Sequence, residues 1–125
     1  MLEIAPGWQL DVDRGPDWLF VRIHDPAEAH DDAPPLADRL WELLQEQFVN
    51  RLIIELDELR WLPSYLIGQL VLIQKKVHTH GGVVRLCGLS PDNERVLRLT
   101  RLDSLLPNYA NRAAAVMGHV PQKPR

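Results

Sequence analysis

Apolar and polar residues follow each other along the chain in patterns that predict alternating strands and helices. Residues 52–56 form a nearly continuous apolar run, as expected for a strand that is covered on both faces. Residues 8–12 alternate between apolar and polar and, with the apolar segment 18–23, predict an initial hairpin. Apolar residues with helical spacing then predict two amphipathic helices, at residues 36–48 and from 64 to about 80.

Glycine, proline and capping residues divide the second half of the chain. Gly81 suits the left-handed end of the second helix, before an apolar strand at residues 83–87. Ser90, which precedes a proline, has the position of a cap at the start of a third helix. A short edge strand within residues 105–109 and a last helix that starts at Asn111 complete the order.

This order, ββαβαβα(β)α, predicts an α/β fold with a four- or five-stranded mixed sheet. About four helices should pack mainly on one face of that sheet, because strands that alternate with helices form parallel crossovers. The 125 residues are enough for one domain, expected at residues 1–117, followed by a flexible tail at 118–125.

The composition is that of an ordinary globular protein, with 46% apolar and 25% charged residues. A formal net charge of −3 gives no indication of nucleic-acid binding, which usually needs clustered positive charge. No apolar run approaches the roughly 20 residues that span a bilayer, so no membrane insertion is expected. The single Cys87 lacks an intramolecular partner, which favours a buried, reduced thiol in a cytoplasmic protein.

The start of the second helix carries the most informative candidate site. Helical geometry is disfavoured before a proline, so this helix should begin after Pro63. Ser64 then has the position of an N-cap, where its hydroxyl would accept a hydrogen bond from an unpaired amide. The same position tolerates a phosphate, because the helix dipole favours negative charge there. The residues alone leave both interpretations open, a structural cap or a phosphoryl acceptor.

Two segments that contain histidine are weak candidates for a metal site. His78 and His80 are two residues apart at a helix end, so they do not share a face, and no further ligand follows at a suitable spacing. The loop at residues 24–32 mixes histidine with acidic residues at irregular spacing, which is typical of a solvated segment. We therefore expect no metal and no cofactor. Motifs for nucleophilic, phosphate-loop or dinucleotide chemistry are also missing, so we expect no enzymatic activity.

Several motif residues occur together as they do in the STAS domain, a family named for sulfate transporters and anti-sigma factor antagonists. Glu55 takes the acidic position at the end of the buried strand, Ser64 falls at the spacing of the family's phosphorylated serine, and Gly68 matches a family glycine. Residues 78–109 follow the family pattern of Gly-Gly, strand, Gly-Leu-Ser-Pro, helix and Leu-Asp. The chain therefore resembles a STAS domain over residues 8–117. Pro63, Tyr65 and Leu66 depart from the family's Asp, second Ser and Gly.

The resemblance implies a non-enzymatic module that binds a protein partner. In anti-sigma factor antagonists the unphosphorylated domain binds an anti-sigma factor, itself a serine kinase, and serine phosphorylation ends the binding. The resemblance implies that Ser64 would be the phosphorylated residue in this chain. The family's partner surface maps onto Glu55, Asp57, Glu58, Trp61, Tyr65, Gly68 and Gln69. Two alternatives remain open: a scaffold subunit without phosphorylation, as in lipid-transport ATPase complexes, or a domain that binds a nucleotide or another small ligand.

Overall fold

The computed structural model describes residues 1–26 and 34–118, which form six strands and four helices. The elements are β1 (Leu2–Ala5), β2 (Trp8–Arg14), β3 (Leu19–His24), α1 (Leu36–Gln47), β4 (Arg51–Glu55), α2 (Ser64–Thr79), β5 (Val83–Cys87), α3 (Pro91–Leu99), β6 (Asn108–Tyr109) and α4 (Arg112–Met117).

All six strands form one sheet, in which their order is the order of the sequence. The first three strands are antiparallel neighbours, and β3, β4, β5 and β6 are parallel. The register places Val21 opposite Ile54, and Ile54 opposite Leu86. Because the parallel strands share one direction, their carboxyl ends meet at one edge of the sheet, where β4 leads towards α2.

The two faces of the sheet are covered very differently. The larger core includes Leu52 and Ile54 of β4 and buried residues of α1, α2 and α3. On the other face, Ile53 belongs to a smaller core that includes Ala115 of the short helix α4. The alternation along β4 therefore buries neighbouring side chains on opposite faces, as the apolar run predicted.

The predicted fold class is confirmed, and the structure adds one strand. β1 was not predicted, because its four residues precede the clear alternation that marks β2. The last strand is an edge strand as predicted, although it is only two residues long. Gly81 has a φ of 77°, and the side chains of Ser90 and Asn111 cap α3 and α4, which confirms all three predicted helix boundaries.

Two sequence-based expectations concern segments outside the described residues. Most of the loop that mixes histidine with acidic residues falls in 27–33, and all but the first residue of the expected tail falls in 119–125. At the start of that loop, His24 contacts Asp11, with 2.7 Å between Nε2 and Oδ2. No helix within residues 1–26 and 34–118 has both the length and the apolar character needed to cross a membrane.

Candidate partner-binding surface at the start of α2

Ser64 is the first residue of α2 and does not cap it, so the predicted N-cap role is wrong. The capping position belongs to Pro63, whose ψ of 158° is extended and which makes no side-chain capping bond. The Pro63 carbonyl accepts hydrogen bonds from the amides of Leu66 and Ile67, both at 3.0 Å. The predicted start of the helix is correct, but the proline displaces the serine by one position, and a hydroxyl at that position no longer reaches the amides of the first turn.

The Ser64 hydroxyl is therefore exposed and makes no hydrogen bond with any described residue. The amides of Ser64 and Tyr65 likewise have no partner in the described part of the chain. The first turn of α2 also contains no acidic residue to offset the helix dipole. The start of α2 thus combines a free nucleophilic oxygen with unpaired donors and a partial positive charge.

A row of solvent-facing residues, here called the α2 stripe, runs from the preceding loop along the helix. It consists of Trp61, Ser64, Gly68, Leu72 and Lys75, all of which are exposed. Trp61 is 65% exposed and Leu72 is 56% exposed, so two large apolar side chains of this row face solvent. Exposed apolar residues grouped on one surface are typical of a protein-interaction site.

Two of the predicted partner-binding residues on α2 also contribute to internal packing. Tyr65 is half-buried against Trp8, with an edge-to-face contact and 6.5 Å between the ring centroids. The Oε1 atom of Gln69 accepts a hydrogen bond from the amide of Ala37 at 3.0 Å. That bond supplies a partner for the start of α1, where Pro35 offers no side-chain cap. Gln69 thus joins the two helices, and less of its side chain is available to a partner.

Glu55 lies on the opposite face of the sheet from α2, buried to 4% exposure in an ion-pair network that includes α4. Arg112 donates two hydrogen bonds to its carboxylate, from Nη2 at 2.6 Å and from Nε at 3.2 Å. Arg22 approaches the same carboxylate at 3.4 Å. The remaining contacts of the network join Arg112 to Asp13 at 2.7 Å and Arg22 to Asp57 at 3.1 Å.

The network stabilises the charged forms of Arg112 and Asp13. The hydrogen bond with Glu55, followed by that with Asp13, raises the pKa of the Arg112 guanidinium despite partial burial. The hydrogen bond from Arg112 in turn lowers the pKa of Asp13 below its ordinary value of 3.8. The lone pairs of a buried carboxylate held in this way are occupied, so the main role of Glu55 is to stabilise the fold.

Sequence reasoning did not predict the two arginines. They are 33 and 57 residues away from Glu55 in the chain, and no local pattern relates them. One signal was available, since a carboxylate inside a strand covered on both faces requires a cationic or hydrogen-bonding partner. That argument predicts that Glu55 has such a partner, but it does not identify the residue.

The loop between β4 and α2 provides the remaining predicted residues. Asp57 is held by Arg22 and packs against Gly88, whose φ is 79° and where a Cβ atom would lie 2.9 Å from the Asp57 Cβ. Arg60 donates to the carbonyl of Pro26 at 2.6 Å, which joins this loop to the end of β3. Glu58 is exposed and makes no ion pair within the described residues. Of the loop's predicted residues, Glu58 and Trp61 therefore remain the most available.

A pocket of about 310 Å³ opens beside Glu55 at the carboxyl edge of the sheet. Arg22, Cys87, Asn111 and Arg112 contribute to its wall, and both guanidinium groups already contact carboxylates. It therefore offers an anionic ligand little unpaired positive charge. Among the described residues, no group of three or more His, Cys, Asp or Glu side chains could hold a metal ion.

The order of the strands, the position of α4 on the second face of the sheet and the exposed start of α2 together define an α/β interaction domain. The family model for the STAS domain matches residues 9–115, and the chain belongs to the STAS domain family. The predicted family is thus confirmed.

Solved structures support the same fold. An anti-sigma factor antagonist from Mycobacterium paratuberculosis superposes with a TM-score of 0.74 at 21% identity, covering 91% of this chain and 96% of that one. A putative anti-sigma factor antagonist from Thermotoga maritima gives 0.66 at 19% identity, with coverages of 87% and 92%. The Bacillus protein SpoIIAA in its unphosphorylated form gives 0.61 at 16% identity, with coverages of 90% and 98%.

Proposed function

We propose that this STAS domain is a regulatory module that binds a protein partner through the α2 stripe and the adjoining loop, and that phosphorylation of Ser64 ends the binding. The observation that carries the proposal is the state of Ser64. Its hydroxyl is exposed, free of hydrogen bonds within the described residues, and flanked on the same surface by exposed Trp61 and Leu72. The partner expected from the family is an anti-sigma factor with serine kinase activity.

A phosphate on Ser64 would alter the surface more than the fold. It adds roughly two negative charges, which the unpaired amides and the dipole at the start of α2 stabilise. The same charge would stand between the apolar side chains of Trp61 and Leu72, where a bound partner would have to desolvate it. We therefore expect phosphorylation to leave the domain folded and to weaken binding.

Two residues next to Ser64 that differ from the family pattern contribute to the internal packing of this chain. Leu66, where the family has glycine, is fully buried in the main core. Tyr65, where the family has a second serine, packs against Trp8. Both substitutions strengthen the attachment of α2 to the sheet and leave Ser64 as the one serine or threonine in the first turn of this helix.

The test is to purify the protein from its own cells and to map phosphopeptides across growth conditions. Copurifying proteins would be identified, and their binding to purified Ser64→Ala and Ser64→Asp variants measured. We expect phosphoserine at Ser64, binding by the alanine variant, and at least about tenfold weaker binding by the aspartate variant. Ser104→Asp is the matched control, because Ser104 is also exposed but lies outside the α2 stripe.

A different result would favour the scaffold alternative. If phosphoserine is absent under all conditions and Ser64→Asp binds the partner as tightly as the unchanged protein, the switch is excluded. A stable complex that survives both substitutions would then identify a structural subunit.

A further inference from the structure

No contact within the chain explains why residue 68 is a glycine. It lies inside α2, where glycine costs about 1 kcal/mol relative to alanine. A Cβ atom at this position would meet nothing within 4 Å, so no neighbouring backbone or side chain requires the space. Glycine therefore destabilises the helix at this position, and no contact within the chain explains it. This indicates that another molecule approaches the backbone closely at Gly68.

The residues on either side of Gly68 are spaced symmetrically. Ser64 and Leu72 are each four residues from Gly68, and Trp61 and Lys75 are each seven residues from it. Leu72 and Trp61, which are both more than half exposed, thus lie on opposite sides of the glycine. The α2 stripe thus offers two apolar anchors, with a position that lacks a side chain between them.

The charges along the same surface change sign from one end to the other. Glu58 is exposed near the Trp61 end, and Lys75 is exposed at the other end. Neither makes an ion pair with any residue of the described ranges. Lys76, the neighbour of Lys75, instead lies over the ring of Trp41, with Nζ 4.9 Å from the ring centroid. Arg60 is also exposed beside Trp61, but it lies 3.7 Å from Asp25, so Glu58 leaves the loop end acidic while Lys75 leaves the other end basic.

We propose that the occupant of this surface is a second copy of the chain. Two α2 helices would cross in antiparallel orientation about a twofold axis at Gly68. Within the helices such a rotation places each Ser64 opposite Leu72 of the second copy, and it brings the loop that carries Glu58 and Trp61 towards Lys75 of the second copy. The acidic end then faces the basic end twice, so the interface is complementary to itself in shape and in charge. The pairing of Trp61 with Lys75 brings a cation over an aromatic face.

The dimer has a consequence for regulation that depends on the proposed function. It would cover Ser64 and the apolar anchors, so that self-association and partner binding exclude each other. A phosphate on Ser64 would lie against Leu72 of the second copy and separate the two chains. The self-association itself does not depend on a partner or on phosphorylation.

Sedimentation equilibrium of the purified chain from micromolar to millimolar concentration tests the proposal. We expect a monomer–dimer equilibrium that weakens as salt is raised, because charge pairs contribute to it. Gly68→Gln should abolish the dimer while raising the melting temperature, since glutamine is the better helix former and its Cβ meets no neighbour. The rise in melting temperature shows that lost association is not caused by unfolding.

Charge reversal gives the sharper test. Lys75→Glu and Glu58→Lys should each weaken the dimer at least about tenfold, whereas the double variant should recover most of the association. Arg95→Glu is the control for the same charge change at an exposed site on α3. A chain that stays monomeric throughout, or a Lys75→Glu dimer as tight as that of Arg95→Glu, overturns the proposal.

The outcomes also separate this proposal from the proposed function. A monomeric wild-type chain that still captures a partner through Trp61 and Leu72 would overturn the self-association and leave the partner surface intact. If dimerisation is lost only in the variants of the α2 stripe and its loop, and the protein is never phosphorylated, the self-association is supported and the phosphorylation switch is excluded.

Discussion

Glu55 and Ser64 are only nine residues apart, yet they lie in opposite kinds of environment. Glu55 is 4% exposed and bound by Arg112 and Arg22, on the face of the sheet that carries α4. Ser64 is exposed on the other side, at the start of α2, without a hydrogen bond in the described residues. The family pattern treats both as parts of one motif. The structure indicates that one end of the motif supports the fold and the other is available for binding.

The difference arises from the direction of the side chains along β4. Ile54 points towards α2 and the larger core, so Glu55 must point towards the opposite face. Pro63 then starts a helix whose buried side includes Leu66 and Leu70, which leaves Ser64 on the solvent side. Two residues near the same edge of the sheet are therefore separated by the sheet itself.

The largest expected difference between the two environments is in thiol reactivity. Cys87 lines the pocket beside Glu55 and is 2% exposed. Burial, and then the charges of Glu55 and Asp57, raise the pKa of its thiol from 9.0 to about 12. A chain with Cys87→Ala and Ser64→Cys would instead carry its thiol at a helix start, where the pKa falls. At pH 8 the thiol at position 64 should react more than about a thousandfold faster with an aromatic disulfide reagent.

The shift also predicts how stability depends on pH. The unfolded thiol loses its proton near its ordinary pKa of 9.0, whereas the folded thiol keeps it up to about 12. The unfolded state therefore binds fewer protons in this window, so the free energy of unfolding falls as the pH rises from about 9 towards 12. Cys87→Ala should remove this component. Rapid labelling of the native Cys87 at pH 8 would contradict the assigned burial.

The second difference is in the stability that each side contributes. Arg112→Ala removes both close contacts of Glu55 and leaves a buried carboxylate with Arg22 alone, so it should lower the free energy of unfolding by about 2–3 kcal/mol. Trp61→Ala, on the 65% exposed side chain, should change it by less than about 0.5 kcal/mol. Urea denaturation at neutral pH measures both. Equal losses for the two variants would mean that the ion-pair network does not stabilise the domain.

Asp13 adds a pH signature to the same experiment. Because its pKa is lowered by Arg112, its contribution is present above its ordinary pKa of 3.8 and is lost as the pH falls through the lower folded value. In Arg112→Ala this acid dependence should be reduced, because only the hydrogen bond from the Arg14 amide then lowers the pKa of Asp13. An unchanged acid profile would place the stabilising partner of Asp13 elsewhere.

The sequence was sufficient for the features that depend on neighbouring residues. The apolar run of β4, the spacing of α1 and α2, and the caps Ser90 and Asn111 all follow from local patterns, and each is confirmed. The first strand, β1, was missed because it is short and carries little alternation of its own. Local patterns thus predicted the order of the elements from β2 onwards, and the resemblance of the motif residues to the STAS domain indicated the family.

Features that depend on distant residues could not be predicted in the same way. The role of Glu55 is decided by arginines on β3 and α4, and that of Gln69 by the start of α1. The error at Ser64 had a local cause of another kind. Whether a serine caps a helix depends on its backbone angles, and a preceding proline in extended conformation takes the capping position itself.

The smallest expected difference is between two serines that begin helices. Ser90 precedes a proline and accepts a hydrogen bond from the amide of Asn93 at 3.2 Å, so it is a true cap. Ser64 follows a proline and accepts no such bond. Ser90→Ala should therefore lower the free energy of unfolding by about 1 kcal/mol, whereas Ser64→Ala should change it by only a few tenths. Matched urea titrations of the two variants decide the point. A loss at Ser64 as large as that at Ser90 would mean that Ser64 does cap α2 in solution, and its hydroxyl would then be less available to a kinase.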